Sequence, residues 1–512
     1  MFARKPTTST SQFDPPNDDD VNFTTKTYIA TGSDQLINVS DDPDIADEIS
    51  YFRWPTISCY VGNSFSARSQ SLKNHLINNY LEDSGGKPTG RLKASIPTTT
   101  LIHNDSIAAE FIDFISDKTS DLIATHLTLE NSSTFAINPF DSKLGFYQPM
   151  HYDKWQMIEF LRVLLKPQFF IKPPFDLERL LEDLVSRMFS LIMRADSPHA
   201  KIYREGINKT LDEVVRGYRI IKESDVDITL VELTRKIHIT GRTWPIGSRD
   251  NLLLWKARDI AHSLATPLMS DLYLAIDHPS IKACHTQTSV DGEAVLDLIR
   301  DRVDRAIRDY PCFASPTTIN IDHIPAVAIN LKNVLNEDAS NNTLFLIAAH
   351  MLAIKRINIL NADIHSPYSD RAYLAFYKEK LNKQLAGQVI AFDNINLSAE
   401  IGLSRLLSIN ARERKKLNME LIVGVHKLTD IESSKNYYPL IMYVNRLYLF
   451  SRLHDRQLYV FGQRFTQDAE VESDIALITK YNYFSYTKPI IGDKVGVVKT
   501  SFHPLDPLDS DS

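Results

Sequence analysis

The segment that decides the fold is ISCYVGNSFSARSQSLKNHLINNYL, residues 57–81. A short apolar run at residues 57–61 leads through a glycine and a loop of small residues into a segment that has Leu72, Leu76 and Tyr80 on one helical face. A strand, a glycine-containing loop and a helix, in this order, form the phosphate-binding loop G-x-x-x-x-G-K-[ST]. The segment therefore predicts the first strand–helix unit of an α/β sheet.

The loop departs from that pattern at its two most diagnostic positions. Aligned from the first glycine, the candidate phosphate-binding residues are Gly62, Asn63, Ser64, Ala67, Arg68 and Ser69. Ser69 lies where the pattern has the hydroxyl that binds Mg²⁺. Ala67 replaces a glycine that can adopt positive φ at little cost, and Arg68 replaces a lysine with a longer, planar cation. The two readings are a phosphate loop that has lost its reaction and an ordinary strand–helix loop.

Two further strands carry the other residues of this candidate site. QVIAFDNIN, residues 388–396, ends an apolar run at Asp393, where the second phosphate-site motif has its Mg²⁺-binding carboxylate, although a helix cap is the alternative. Asn394 follows, where a catalytic glutamate is expected, and a carboxamide cannot act as a base. The strand at 419–425 is followed by His426, where a glutamine would sense the γ-phosphate. Arg412 and Arg414 are either arginine fingers or a solvated helix end.

Alternating strands and helices on either side of a helical block predict a parallel, helix-covered sheet with an insertion. The insertion is indicated by apolar residues at three- and four-residue spacing through most of residues 153–310. The predicted divisions are a disordered polar tail at 1–50, a first α/β part at 51–150, an inserted helical domain at 151–312, a second α/β part at 313–498 and an acidic tail at 499–512.

Bulk composition excludes few functions. The formal net charge of −7 gives no overall attraction to nucleic acid or to an anionic membrane, so nucleic acid is not expected as a direct ligand. Three widely separated cysteines, Cys59, Cys284 and Cys312, predict buried thiols in a reducing compartment. No apolar run reaches 18 residues, and no membrane span is predicted.

Taken together, these motifs resemble the ATPase domain of the type IV secretion family represented by DotO/IcmB and its conjugative relative TraU. The likeness covers most of residues 51–450 and includes FAINPFDSKLGFYQPM at 135–150, RAIRDYPCFASPTTINID at 305–322 and the strands around Asp393 and His426. NPFDSKLG is the most specific part, since it is not a general nucleotide motif. The resemblance implies a RecA-like P-loop NTPase-type parallel sheet with an inserted all-helical domain.

The resemblance also implies a function, which the replaced residues modify. Ala67, Arg68, Asn394 and His426 stand where the family has the groups for hydrolysis, and losing such groups costs orders of magnitude in rate. The favoured hypothesis is a degenerate pseudo-ATPase that acts as an assembly or regulatory partner of secretion-system ATPase or channel subunits.

It would lie on the cytoplasmic side of the channel, peripheral to the inner membrane, with oligomerisation left open. Its cofactor would be either none or ATP with Mg²⁺, the metal held by Ser69 and Asp393. The alternatives are an unconventional ATP-hydrolysing motor subunit and an effector or decoy that mimics the ATPase domain.

Overall fold

The structure is a computed structural model of the 512-residue chain. It describes residues 26–30, 36–38, 57–62, 65–84, 87–92, 96–118, 124–141, 151–165, 175–222, 227–245, 248–285, 289–290, 293–319, 321, 324–336, 339–361, 385–395, 407, 419–427, 430–431, 440–444, 446–449, 484–487 and 496–501.

The strands, in chain order, are β1 Lys26–Ala30, β2 Leu36–Asn38, β3 Ile57–Val61, β4 Leu81–Ser84, β5 Lys87–Leu92, β6 Ile96–His103, β7 Ala124–Thr128, β8 Ser289–Val290, β9 Glu293–Ala294, β10 Ala326–Asn330, β11 Leu385–Asp393, β12 Met419–Val425, β13 Arg446–Leu449, β14 Phe484–Thr487 and β15 Gly496–Ser501.

The α-helices are α1 Phe65–Tyr80, α2 Phe111–Lys118, α3 His151–Leu165, α4 Phe175–Ile192, α5 Lys209–Gly217, α6 Leu230–Gly241, α7 Arg249–Ala265, α8 Leu272–Asp277, α9 Pro279–His285, α10 Val295–Asp309, α11 Pro311–Ala314 and α12 Ala339–Asn361. Short 3₁₀ helices span Ile107–Glu110, Met269–Asp271 and Leu440–Tyr443.

The main sheet has the strand order β2-β1-β15-β14-β13-β3-β12-β11-β6-β10-β7. Its centre is parallel: β3 pairs with β13 and β12, β12 pairs with β11, and β10 pairs with β6, each in parallel register. The β13–β14, β14–β15, β15–β1 and β1–β2 pairs are antiparallel. One strand, β12, therefore separates the strand that enters the loop, β3, from the strand that ends in Asp393, β11.

The opening segment folds as its pattern predicts. All five residues of β3 are buried, as expected for a strand covered on both faces. Helix α1 turns Leu72, Leu76 and Tyr80 into the core, where each is 0% exposed, and they join Tyr60 of β3 and Phe111 of α2 in one hydrophobic cluster. Burying side chains of this size stabilises each by about 1.5–3 kcal/mol, so packing of the apolar stripe fixes α1 on the sheet.

Two compact units divide the chain. The first comprises residues 1–127, 324–332 and 386–512 and contains the sheet, while the second comprises residues 128–323 and 333–385 and is mostly helical. In the second unit, α3 packs on α4, α10 and α12. Phe313 packs there against Phe160 and Phe345 at centroid distances of 5.1 Å each. The predicted domain boundaries differ in detail from these units and stay a prediction.

The NPFD motif is a buried junction within the second unit. Asn138 is fully buried, and its Nδ2 donates to the carbonyl oxygen of Pro267 at 2.8 Å and to Oγ1 of Thr266 at 3.3 Å. Its Oδ1 accepts from the backbone N–H of Phe140 at 3.0 Å, which closes a tight turn. These contacts give the asparagine a structural role.

Three local features differ from the sequence expectations. Helix α1 begins at Phe65, so its first turn takes in residues that the phosphate-loop pattern assigns to the loop. The short apolar run PLIMYV, residues 439–444, favours a strand by its composition, but it forms a 3₁₀ helix at Leu440–Tyr443. Strands β1 and β2 lie within the predicted N-terminal tail, and β1 gains its order by pairing with β15, a contact between distant parts of the chain that local composition does not encode.

Candidate functional site

The ends of β3, β6, β11 and β12 meet at one edge of the first unit. Parallel strands present their carboxyl ends at the same edge of a sheet, and ligands of open α/β sheets bind there. Gly62 follows β3, Asp393 ends β11 and His426 follows β12, while Arg68 and Ser69 lie in the first turns of α1. The structure thus brings together five of the candidate residues. In the sequence, the first and the last of them, Gly62 and His426, are more than 350 positions apart.

Arg68 is the centre of this cluster. Its guanidinium is fully buried, and Nε lies 3.1 Å from Oδ1 of Asp393, which is also fully buried. Nη1 donates to the carbonyl oxygen of Gly62 at 3.3 Å and lies 3.3 Å from Nδ1 of His426. One side chain of α1 therefore ties the ends of three strands together.

The second oxygen of the Asp393 carboxylate is held by two hydroxyls. Oγ of Ser69 donates to Oδ2 at 2.6 Å, and Oγ of Ser106 also donates to Oδ2. Ser106 follows β6 and caps the 3₁₀ helix that begins at Ile107, since its Oγ accepts from the N–H of Ala108 at 3.0 Å. A buried carboxylate is tolerated when it is paired and hydrogen-bonded, and these donors meet that requirement.

Gly424 makes room for the carboxylate. It lies in β12, between β3 and β11, and a Cβ atom built on it would lie 2.3 Å from Oδ1 of Asp393 and 3.3 Å from the carbonyl oxygen of Phe392. Real Cβ atoms do not approach other atoms at 2.3 Å, so any side chain at this position would displace Asp393. Glycine here permits the ion pair with Arg68 to form across β12.

Asn394 is used structurally. Its backbone has φ 57°, a left-handed conformation that asparagine adopts more readily than most residues. Its Nδ2 donates to the carbonyl oxygen of Asn104 in the loop after β6. The side chain at the expected position of the catalytic base therefore connects two strand ends.

His426 is held as a neutral imidazole. Burial, followed by the neighbouring Arg68 guanidinium, lowers the pKa of His426 below its usual range. Because a guanidinium can only donate, Nδ1 of His426 accepts from Arg68, and the ring proton lies on Nε2. Two hydrogen bonds between Lys427 and Asp430 shape the following loop: the N–H of Lys427 donates to Oδ2 of Asp430, and the N–H of Asp430 donates to the carbonyl oxygen of Lys427.

The cluster fits part of a Mg²⁺–nucleotide site and lacks the rest. Ser69 and Asp393 are the hydroxyl and carboxylate that such a site uses for the metal. Arg68, in contrast, binds Asp393 itself. Ala67 has helical backbone and does not adopt the positive φ that the glycine of a phosphate loop can adopt. Asn394 offers no base. The residues present therefore do not fit hydrolytic Mg²⁺–ATP chemistry, and no group of three or more metal-binding side chains occurs within the described ranges.

Some of the expected residues cannot be placed. Asn63, Ser64, Arg412 and Arg414 lie outside the described residues, as does the side chain of Ala67. Sequence reasoning missed two residues that the structure adds, Ser106 and Gly424. Gly424 had a signal, because an isolated glycine in an apolar strand indicates a close approach by another group. Ser106 had none beyond its place just after a strand.

The fold is α/β, as predicted, with a sheet whose centre is parallel, and a buried arginine, Arg68, lies where the phosphate-loop pattern has its lysine. No protein-family model matches the chain, and no curated protein is significantly similar to it in sequence.

Solved structures are similar to it at low identity. VirB4 of Thermoanaerobacter pseudethanolicus is 13% identical with a TM-score of 0.48, over 95% of this chain and 98% of that protein. The bacterial conjugative coupling protein TrwB, lacking 70 N-terminal residues and unbound, is 11% identical with a TM-score of 0.30, over 86% and 92% of the two chains. TrwB in complex with the GTP analogue GDPNP gives 10% and 0.31, over 85% and 92%. None of the described helices is long and apolar enough to cross a membrane.

Proposed function

We propose that this chain is a non-hydrolysing, ATPase-like component of a type IV secretion or conjugation system that acts as an assembly or regulatory partner of the system's ATPase or channel subunits. The observation that carries the first half of this proposal is the buried Arg68–Asp393 ion pair, which engages the carboxylate that a nucleotide's metal would require. The system itself rests on the motif resemblance, above all NPFDSKLG.

The ion pair opposes nucleotide binding by a definable amount. A metal-bound nucleotide at Ser69 and Asp393 would have to separate the carboxylate from the guanidinium in a site where both are fully buried. Separating a buried pair costs about 3–5 kcal/mol, which weakens apparent affinity by roughly 10²- to 10⁴-fold. Because the same pair joins α1 to β11, the site gains a rigid connection that persists without a ligand.

Two measurements test the absence of hydrolysis. A fluorescent ATP analogue, titrated with and without Mg²⁺, is expected to bind weakly and without dependence on the metal, and phosphate release is expected to match the protein-free blank. Asp393→Ala should leave that blank-level release unchanged. Mg²⁺-dependent turnover that Asp393→Ala abolishes would overturn the proposal.

A pull-down tests the partner. The full chain is expected to retain the ATPase encoded with it in the same secretion system and to change its rate of ATP hydrolysis. Neither association nor a rate change would contradict the assembly role while leaving the nucleotide results intact. The same proposal places the chain on the cytoplasmic side of the channel, because its partner would hold it there.

The Ser69–Asp393 contact favours one second candidate, an unconventional ATPase. The 2.6 Å separation of their oxygens keeps both Mg²⁺ donors side by side. In this candidate, Arg68 would swing from the carboxylate to the nucleotide phosphates. It requires Arg68→Lys to retain turnover and Ser69→Ala to remove it, whereas the favoured function predicts no turnover in either variant.

A further inference from the structure

Lys201, in the second unit, has an amine that is held by two acceptors near the end of α7. Its Nζ donates to the carbonyl oxygen of Thr266 at 2.5 Å and lies 3.4 Å from Oδ2 of Asp271. Thr266 is fully buried and directly follows the last residue of α7, and Asp271 ends the next 3₁₀ helix. The side chain therefore connects position 201 to the segment that joins α7 to α8.

The two acceptors match the hydrogen-bonding capacity of a neutral amine. A neutral amine has two N–H donors and one lone pair, whereas an ammonium has three donors and no acceptor. The Thr266 carbonyl and the Asp271 carboxylate can take up two donors. The remaining tetrahedral position of Nζ is then left for the lone pair, which is the nucleophilic part of a lysine side chain.

Two other lysines have similar exposure and different partners. The side chains of Lys73, Lys154 and Lys201 are 19%, 20% and 22% exposed. Lys73 and Lys154 form close ion pairs, at 2.6 and 2.8 Å, with glutamates that are more than half exposed. The contact of Lys201 with Asp271 is longer, and its shorter contact is with an uncharged carbonyl. The three lysines thus provide a comparison within one chain in which the partners differ and the exposure does not.

The surroundings of Lys201 act in the same direction as its contacts. Burial lowers the pKa of Lys201 below its usual range, because the charged amine loses hydration, and the Asp271 carboxylate opposes this shift only in part. Each unit by which the pKa of an amine falls increases its neutral fraction roughly tenfold at neutral pH. The neutral, reactive form of this side chain is therefore more populated than that of a solvated lysine.

We propose that Lys201 is an acylation site that takes small acyl groups, such as acetyl, from an acyl phosphate or an acyl thioester. The neutral Nζ attacks the carbonyl carbon of the donor, and a C–N bond forms. The bond from that carbon to the phosphate oxygen or to the thioester sulfur breaks, the leaving group takes its electron pair, and the nitrogen loses a proton to water. The product is an uncharged amide. This site is independent of the nucleotide-type site and of the secretion partner.

Acylation acts on the same turn that the NPFD motif holds. Asn138 donates to the carbonyl oxygen of Pro267 and to Oγ1 of Thr266, so Asn138 and Lys201 both hold residues 266–267. An acylated nitrogen keeps one N–H, which can serve Thr266 or Asp271 but not both, and it has no charge to attract the carboxylate. We expect the turn after α7 to open more often once Lys201 is acylated.

Site-resolved acetylation tests the proposal. The full chain is incubated with acetyl phosphate or, in a parallel arm, with acetyl-coenzyme A, and peptide mass spectrometry follows the rate at Lys73, Lys154 and Lys201. Each native rate is divided by the rate of the same lysine in the urea-unfolded chain, which removes the effect of local sequence. The ratio for Lys201 is expected to exceed the other two severalfold in at least one arm. A ratio for Lys201 no higher than those of Lys73 and Lys154 in both arms would overturn the proposal.

The pH profile of the reaction gives an independent readout. The acetylation rate at Lys201 should rise with pH as the amine loses its proton and level off once the amine is neutral. Because burial lowers the pKa of Lys201, the rate should level off at a lower pH in the native chain than in the unfolded chain. Levelling at the same or a higher pH in the native chain would contradict the proposal, since the fold would then not favour the neutral amine.

Two substitutions test the consequence for the turn. Lys201→Arg keeps the cation, whereas Lys201→Gln presents an uncharged amide, as the acylated product does. Amide hydrogen exchange over residues 268–272 is expected to be severalfold faster in Lys201→Gln and in the acetylated chain than in Lys201→Arg. Equal exchange in all of them would refute the effect on the turn. ATP-analogue binding that stays the same in both variants would separate these results from the proposed function.

Discussion

Replacing Arg68 with methionine is the sharpest test of the site. Methionine keeps an unbranched apolar stem but removes the cation, so Asp393 is left as a fully buried carboxylate without its ion-pair partner. Ser69 and Ser106 still donate to Oδ2, whereas the 3.1 Å bond to Oδ1 is lost. Breaking one side of a buried pair costs about 3–5 kcal/mol of unfolding free energy.

A matched substitution lies on the same helix. Lys73 of α1 forms an ion pair with Glu110 at 2.6 Å, a shorter distance, but the Glu110 side chain is 56% exposed. Exposed pairs of this kind contribute about 0–1 kcal/mol, so Lys73→Met should change stability little. Both substitutions replace a cation of the same helix with methionine, and they differ chiefly in the burial of the ion pair that is removed.

Urea denaturation followed by circular dichroism gives the unfolding free energy, and amide hydrogen exchange in β11 and β12 assigns the change to the first unit. Adding Asp393→Asn to Arg68→Met should recover much of the loss, because the buried charge is then absent; the non-additivity measures the coupling. Equal effects of Arg68→Met and Lys73→Met would refute the reasoning, since burial would then not govern the pair.

Three further predictions concern residues around the pair. Gly424→Ala should destabilise by about 1–3 kcal/mol through overpacking against the carboxylate, while Gly217→Ala, where a Cβ would meet nothing within 4 Å, should stay within about 1 kcal/mol in urea denaturation. Ser106→Ala should lower the unfolding free energy by about 1–3 kcal/mol, because two hydrogen bonds of its hydroxyl are lost. The buried hydroxyl of Ser71 makes no hydrogen bond among the described residues, so Ser71→Ala should change the unfolding free energy little. Burial lowers the pKa of His103 to about 4, so stability should fall by about 3 kcal/mol as pH decreases from 6.5 to 4, measured by urea denaturation at each pH.

The predictions for Gly424 and His103 each have an outcome that would contradict them. If Gly424→Ala and Gly217→Ala lower the unfolding free energy equally, a Cβ at position 424 does not crowd the Asp393 carboxylate. The sign for His103 follows because the unfolded chain binds more protons than the folded one between pH 4 and 6.5. His103→Asn should flatten that slope. A slope that His103→Asn leaves unchanged would assign the pH dependence to other groups.

Much of the sheet could be predicted because its signals are local. The apolar runs that become β3, β10, β11 and β12 are continuous and short, as strands buried on both faces are, and the helical stripe of α1 is periodic. The run that became a 3₁₀ helix at Leu440–Tyr443 shows the limit of this reasoning, because a short apolar run does not specify its own secondary structure.

For the candidate site, the sequence indicates residues by their chemistry and position, whereas the contacts among those residues come from the structure alone. Ser69 and Asp393 were expected to share a ligand, and the structure places their oxygens 2.6 Å apart. Arg68 was expected as an ill-fitting substitute for lysine. That it binds Asp393, Gly62 and His426 could not be predicted, since the direction of a long side chain depends on the packing around it.

By itself, the amino-acid sequence determined the central strands β3, β10, β11 and β12, the helix α1 and the identities of the groups at the strand ends, because hydrophobic periodicity and residue chemistry are properties of the chain. Only the tertiary structure decided what those groups do. Folding places β12 between β3 and β11, sets Gly424 against Asp393 and brings Arg68 to the carboxylate from 325 positions away. Burial of that pair turns an apparent loss of a catalytic lysine into a charged connection within the core, since an ion pair removed from water is costly to separate.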